Sequence, residues 1–133
     1  MKINAPREKV WAALWDDITY REWTAVFTLG SYAKSDWKEG SRIDFLNPSG
    51  SGIFAIIDKK IPNTEMTFRH QGELKNGEEI TGEWTGALES YFLTDNKGGT
   101  LLSAEMNSTE DFQQYFKDTF PKAMATLKQI SER

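Results

Sequence analysis

The 133-residue sequence contains no cysteine and a single histidine, His70. Without cysteine there is neither a disulfide framework nor a thiolate ligand, so nothing calls for an oxidising compartment. One imidazole and no thiol also leave the usual nitrogen- and sulfur-ligated metal sites without donors. The carboxylates show no calcium-loop spacing either, so no metal and no other cofactor is expected. No apolar run approaches the ~20 residues of a membrane-spanning helix, and no signal peptide opens the chain. A cytoplasmic protein without membrane insertion is the expectation. Basic charge is in deficit: 16 Lys and Arg against 20 Asp and Glu give a net charge of −4. A nucleic-acid partner, whose phosphates demand a basic face, is therefore not expected.

What the chain has in quantity is aromatic side chains, including five Trp and eight Phe. That weight argues against disorder and for one domain over residues 1–133 with a real core. The richest stretch is the last quarter. Phe112, Phe116, Phe120, Met124 and Leu127 recur at helical spacing, and Ala123 and Ile130 widen the stripe. Gln113, Lys117, Lys122, Thr126 and Gln129 take the other side. Ser108 or Thr109 can cap the start. Pro121 removes one helical hydrogen bond, yet the stripe keeps its phase across it, which favours one bent helix over two.

Upstream, Pro6 suits a first helical turn with Asn4 or Ala5 as cap, and Val10, Trp11, Leu14 and Trp15 form a broad apolar face. Asp16 and Asp17 end this helix and can cap a second from Ile18 to Trp23. From Thr24 the pattern turns to alternation. Short strands are expected at Tyr32–Asp36 and Arg42–Phe45, with Ile43 and Phe45 on one face. Asn47–Gly52 reads as a loop. Ile53–Ile57 is apolar on both faces, and Glu65–Leu74 places Met66, Phe68 and His70 together. Asn76-Gly77 signals a hairpin. Gly82–Thr94 reads as one long strand with Trp84, Leu88 and Phe92 in phase. After a turn at Asn96–Gly99, Thr100–Met106 closes the set with Leu102, Ala104 and Met106 inward. The order is a stub strand, two short helices, about six antiparallel strands and a long helix, an α+β arrangement.

The opening Ile3-Asn4-Ala5-Pro6-Arg7-Glu8-Lys9-Val10-Trp11 resembles the "I-x-A-P-x-x-x-V-W" start of START-like (SRPBCC) proteins, in particular the branch related to the heat-shock-protein-90 ATPase activator. Trp23, the segment Asp36–Ser41, and Phe120-Pro121-Lys122-Ala123 leading to Leu127-Lys128 match in the same order. The resemblance implies a helix-grip fold, a curved antiparallel sheet of about six to seven strands around the C-terminal helix. It further implies a cavity for a small hydrophobic molecule such as a lipid, sterol or polyketide, and for some members cyclase or aromatase activity. The branch name implies a chaperone partner, although the named co-chaperone carries an additional N-terminal domain not found in these residues. The first strand is shorter than the resemblance implies, so either a homodimer or an edge guarded by a bulge or charges is expected.

Chemistry in the residues themselves is sparse. His70, expected inward, is either an acid or base in a cavity or a buried histidine satisfied by a neighbour. Gly50–Ala55 fits G-x-G-x-x-A only by letter, because it opens a strand rather than a helix. Ser35–Lys38 fits S-x-x-K without the motifs that accompany it in lactamases. The aromatics Trp23, Phe45, Phe54, Phe68, Trp84, Phe116 and Phe120 either line a pocket or fill a solid core. With His70 and Tyr115 they are the candidate ligand-binding residues, and no catalytic residue is assigned. Tyr32, Arg42 and Tyr91 are further polar candidates. The reading is a non-enzymatic carrier or sensor, with a protein-interaction module and a cyclase-like enzyme as alternatives.

Overall fold

The computed structural model describes residues 1–81, 85–107 and 110–133, with side chains described from 117 onward in the last of these ranges. The elements follow the expected order. A two-residue strand β1 (Lys2–Ile3) leads into helices α1 (Arg7–Trp15) and α2 (Asp17–Thr24). Strands β2 (Tyr32–Lys34), β3 (Arg42–Leu46), β4 (Gly52–Ile61), β5 (Glu65–Lys75), β6 (Glu78–Ile80), β7 (Leu88–Asn96) and β8 (Gly99–Met106) follow, and helix α3 (Glu110–Glu132) closes the chain. One antiparallel sheet runs in the order β1-β8-β7-β5-β4-β3-β2. Strand β5 shares one edge between two partners: β7 pairs with its first half and β6 with its last three residues.

The sheet is bent where β4 and β5 fall out of register, once between Phe54 and Ala55 and once between Ile57 and Lys59. Each irregularity sets two residues of one strand against one of the other, which kinks the ladder and increases its twist. The concave face so formed carries Ile43, Ala55, Ile57, Met66, Phe68 and Leu93, all buried in one core cluster. Helix α3 closes it with Ala123, Met124, Leu127 and Ile130. Burial of each of the three larger side chains contributes roughly 1.5–3 kcal/mol. Pro121 lies inside α3, which continues through it as a single helix, as the unbroken stripe predicts. The proposed caps Ser108 and Thr109 and the side chains of Phe112 and Phe116 lie outside the described residues. No helix among the described residues is long and apolar enough to cross a membrane.

Three local expectations are corrected. Pro6 itself occupies the N-cap of α1, with extended φ and ψ and no side-chain cap, because its fixed φ suits the last extended residue as well as the first helical one. Of the single strand expected over Gly82–Thr94, residues 82–84 lie outside the described residues; the rest is interrupted at Gly86, where φ is +93°, and β7 begins at Leu88. Its phase changes with it. Tyr91 and Leu93 are buried inward and Leu88 and Phe92 are half-buried on the other face. A strand that begins after a turn takes its phase from its own pairing, here with β5 and β8.

Candidate functional site

The concave sheet is not filled by α3 alone. A cavity of about 240 Å³ remains between α2, the segment after it, and strands β3, β4, β5 and β7. Its inner wall is aromatic, with Trp15, Tyr20, Trp23, Phe45 and Tyr91, and its outer rim carries Thr28, Ser31, Asn47 and Ser51. The rim is held by its own turn chemistry. The Asn47 side-chain oxygen accepts from the backbone amides of Ser49 and Ser51, at 3.0 and 3.1 Å, which shapes the β3–β4 loop.

The wall rings are positioned by packing. Trp15, at the end of α1, meets Phe68 and Tyr91 edge-on, with ring centroids 5.4 and 5.1 Å apart. Such edge-to-face pairs contribute about 0.5–1.5 kcal/mol each beyond area burial. Trp23 is anchored by its indole N–H, which donates to the Leu14 carbonyl at 3.1 Å. Tyr20 stacks edge-on against Trp23 at 5.5 Å. The Trp15 indole N–H is buried and has no acceptor among the described residues.

The polar end of the cavity is built on two adjacent strands. In the β5–β7 register Phe68 faces Glu89 and Met66 faces Tyr91, so Glu89 and Tyr91 point to the concave side with His70. The Glu89 Oε1 is 3.0 Å from His70 Nε2, and the Tyr91 hydroxyl donates to Glu89 Oε2. A carboxylate only accepts, so Nε2 is the protonated nitrogen of His70 in this pairing. The backbone of His70 is also fixed across the strand, its amide donating to the Ala87 carbonyl at 2.8 Å. Burial, and then the negative charge of Glu89, push the Tyr20 and Tyr91 phenols above the ordinary tyrosine value. Both hydroxyls therefore remain protonated in water near neutrality. Chemically the trio offers an oriented imidazole and a carboxylate with unused lone pairs, able to accept a hydrogen bond or to pass a proton.

The candidates read from the sequence fall in four places. Trp23, Phe45 and His70 line the cavity together. Phe68 is fully buried beneath it and packs on Phe45 at 5.1 Å. Phe120 bridges Phe27 and Tyr91 and borders a second hollow of about 370 Å³ between α3 and β8. Phe54 is on the opposite face of the sheet, under the Arg42 guanidinium at 4.5 Å, because its neighbours in β4 already occupy the concave side. Arg42 is therefore outside the cavity as well, paired with Asp44 and Glu79. Tyr32 lies at the cavity margin. The side chains of Trp84, Tyr115 and Phe116 lie outside the described residues. Trp15, Tyr20, Phe27 and Glu89 also line the cavity and were not among the residues read as candidates; of these, Glu89 bears most on the chemistry. Leu93, in step with Tyr91 and Glu89, was the available signal, overridden by the phase taken from Trp84.

No cluster of three or more metal-ligating side chains occurs among the described residues. The bent sheet closed over a long terminal helix defines a helix-grip protein. The chain belongs to the Activator of Hsp90 ATPase homolog 1-like family, whose sequence profile matches residues 4–132. The fold is similar to that of the Aha1 dimer from Colwellia psychrerythraea, with a TM-score of 0.76 and 24% identity over 99% of this chain and 92% of that one. CalU16 from Micromonospora echinospora matches with a TM-score of 0.73 and 18% identity, covering 98% of this chain and 72% of that one. MLL2253 from Mesorhizobium loti matches with a TM-score of 0.72 and 20% identity, covering 98% and 91%. No curated protein matches the sequence. Membership supports a ligand-binding or Aha1-like module in general.

Proposed function

We propose that this protein is a cytoplasmic carrier or sensor that holds a small, largely apolar organic molecule in the cavity beneath α2. The observation that carries the reading is an aromatic-walled hollow of about 240 Å³ with a hydrogen-bonded polar trio at one end. Ligand sites combine apolar walls with a few placed polar groups, and Glu89, His70 and Tyr91 supply those groups. The volume sets the size class. An apolar cavity of about 150 Å³ takes up benzene, so this one suits a compound of one or two rings. Trp15 and Trp23 stand in the wall, so intrinsic tryptophan fluorescence reports occupancy directly. Titration with a panel of one- and two-ring compounds should quench or shift that emission. Native mass spectrometry of the protein as purified should show any retained guest. Silence in both would overturn the reading.

A second reading rests on the family match, whose name refers to stimulation of a chaperone ATPase. It needs an accessible surface rather than a cavity. Failure of the purified protein to bind a chaperone or raise its ATPase rate would remove it. A homodimer is compatible with either reading. Strand β1 pairs only with Thr100 and Leu101 of β8, and no strand among the described residues pairs with the outer edge of 103–106.

A further inference from the structure

The charge pattern of the cavity goes beyond its size. Among the described residues that line it there is no Lys and no Arg, and the one carboxylate is Glu89. The donors that meet Glu89 directly are already engaged, and the Tyr20 phenol nearby is neutral. His70 Nε2 lies at 3.0 Å from one Glu89 oxygen, the Tyr91 hydroxyl is spent on the other, and Trp23 donates to the Leu14 carbonyl. The Trp15 indole N–H, which lacks an acceptor among the described residues, is neutral and offers a single bond. A carboxylate has about four acceptor positions, of which His70 and Tyr91 use two.

An anionic head group brought to this end would meet a carboxylate in a poorly hydrated setting, where like charges repel strongly. A head group that donates a hydrogen bond would meet the unused lone pairs of Glu89. If it is also cationic, it gains the faces of the surrounding Trp and Tyr rings, which attract positive charge.

Resting on the reading of this cavity as a ligand site, we infer that it selects by head group: it takes a one- or two-ring compound whose polar end donates a hydrogen bond to Glu89, an aromatic alcohol or amine, and excludes carboxylates of the same shape. The charge selectivity comes from one residue. Every other described residue lining the cavity, its polar rim included, is uncharged or, like His70, already paired with Glu89, and the aromatic walls discriminate poorly between molecules of similar size.

The test is a matched series on one scaffold, followed by tryptophan fluorescence and isothermal calorimetry: naphthalene, 2-naphthol, 1-(aminomethyl)naphthalene and 2-naphthoate. Naphthol, the amine or both should bind at least about tenfold more tightly than naphthalene, and naphthoate at least about tenfold more weakly than the better donor, a difference of about 1.4 kcal/mol. The stronger of the two donors tells a neutral head from a cationic one. In Glu89→Gln the preference for the amine should shrink and naphthoate should gain. If naphthalene binds but the donors add nothing, or naphthoate binds best, the inference is wrong while the ligand-site reading stands. If no member of the series binds, the inference is wrong, and if native mass spectrometry also shows no retained guest, the ligand-site reading falls with it. Should Glu89→Gln not fold, the wild-type series still decides.

Discussion

Glu89 and His70 reach each other from adjacent strands, carboxylate oxygen to imidazole nitrogen at 3.0 Å, in a wall otherwise made of rings. The pairing has a structural consequence apart from any ligand. Glu89 accepts from two side chains, His70 and Tyr91, and each is buried. Removing the shared acceptor leaves both donors without this partner in a site of low polarity. Glu89→Ala should therefore cost about 1–3 kcal/mol, and Glu89→Gln, which keeps one acceptor oxygen, less. Urea unfolding midpoints at unchanged slope measure both. An alanine variant as stable as the wild type would show that the trio is not held together as described.

The two buried phenols give the protein an alkaline limit. Burial first, and the charge of Glu89 second, raise the Tyr20 and Tyr91 values above the ordinary 10.0. The folded chain thus keeps protons that the unfolded chain begins to lose near pH 10. Their contribution is complete below that pH and is lost as pH rises beyond it. Tm should fall more steeply above about pH 10 in the wild type than in Tyr20→Phe or Tyr91→Phe. Parallel slopes in all three proteins would contradict the assignment.

Gly52 opens β4 at a crowded place, between Leu46 of β3 and Leu74 of β5. A Cβ there would stand 1.8 Å from the Phe45 carbonyl oxygen, which is backbone and cannot turn aside. Gly52→Ala should push the β3–β4 loop away from the cavity rim and cost at least about 1–3 kcal/mol. Thermal unfolding measures the cost, and ligand titration reads the displaced rim. A variant with wild-type Tm would mean that the hairpin accommodates a methyl group without strain.

Pro121 lies inside α3 at an exposed position. It denies the Lys117 carbonyl its helical donor and crowds the preceding turn. Because the buried stripe runs on through Ala123, Met124 and Leu127, the packing does not need a break there. Pro121→Ala should raise stability, by up to about 3 kcal/mol. A loss of stability instead would show that the bend is required to fit the helix to the sheet.

The outer edge of β8 is expected to mediate self-association. Leu102 bonds outward to Met1 through its amide, so the amide of Ala104, two residues on, faces the same side. Sedimentation analysis of the wild type should give a dimer at high concentration. Ala104→Pro, which removes that amide without touching the ladder to β7, should give a monomer. A wild-type monomer at all concentrations would rule this interface out.

Much of the architecture was already legible in the chain. The phase of Phe120, Met124 and Leu127 marked the face of α3 that is buried, and the alternation of Met66, Phe68 and His70 put all three on the concave side of β5. Turns such as Asn76-Gly77 were set by local preference, since both residues adopt positive φ. These features depend on neighbours a few residues away, which a sequence displays directly. Glu89 is different in kind. Its place inside the cavity follows from a strand that begins at Leu88 after a turn, and from the register that lays it against Phe68. Phe54 likewise reads as core by composition but is assigned to the other face by its pairing in β4. Periodicity determined the order of strands and helices and the greasy face of the terminal helix, while the bend of the sheet came from the register breaks between β4 and β5. Whether the aromatics would fill the space or leave a hollow, and which charge would face it, was decided only when non-local strand pairing set the phase of each strand.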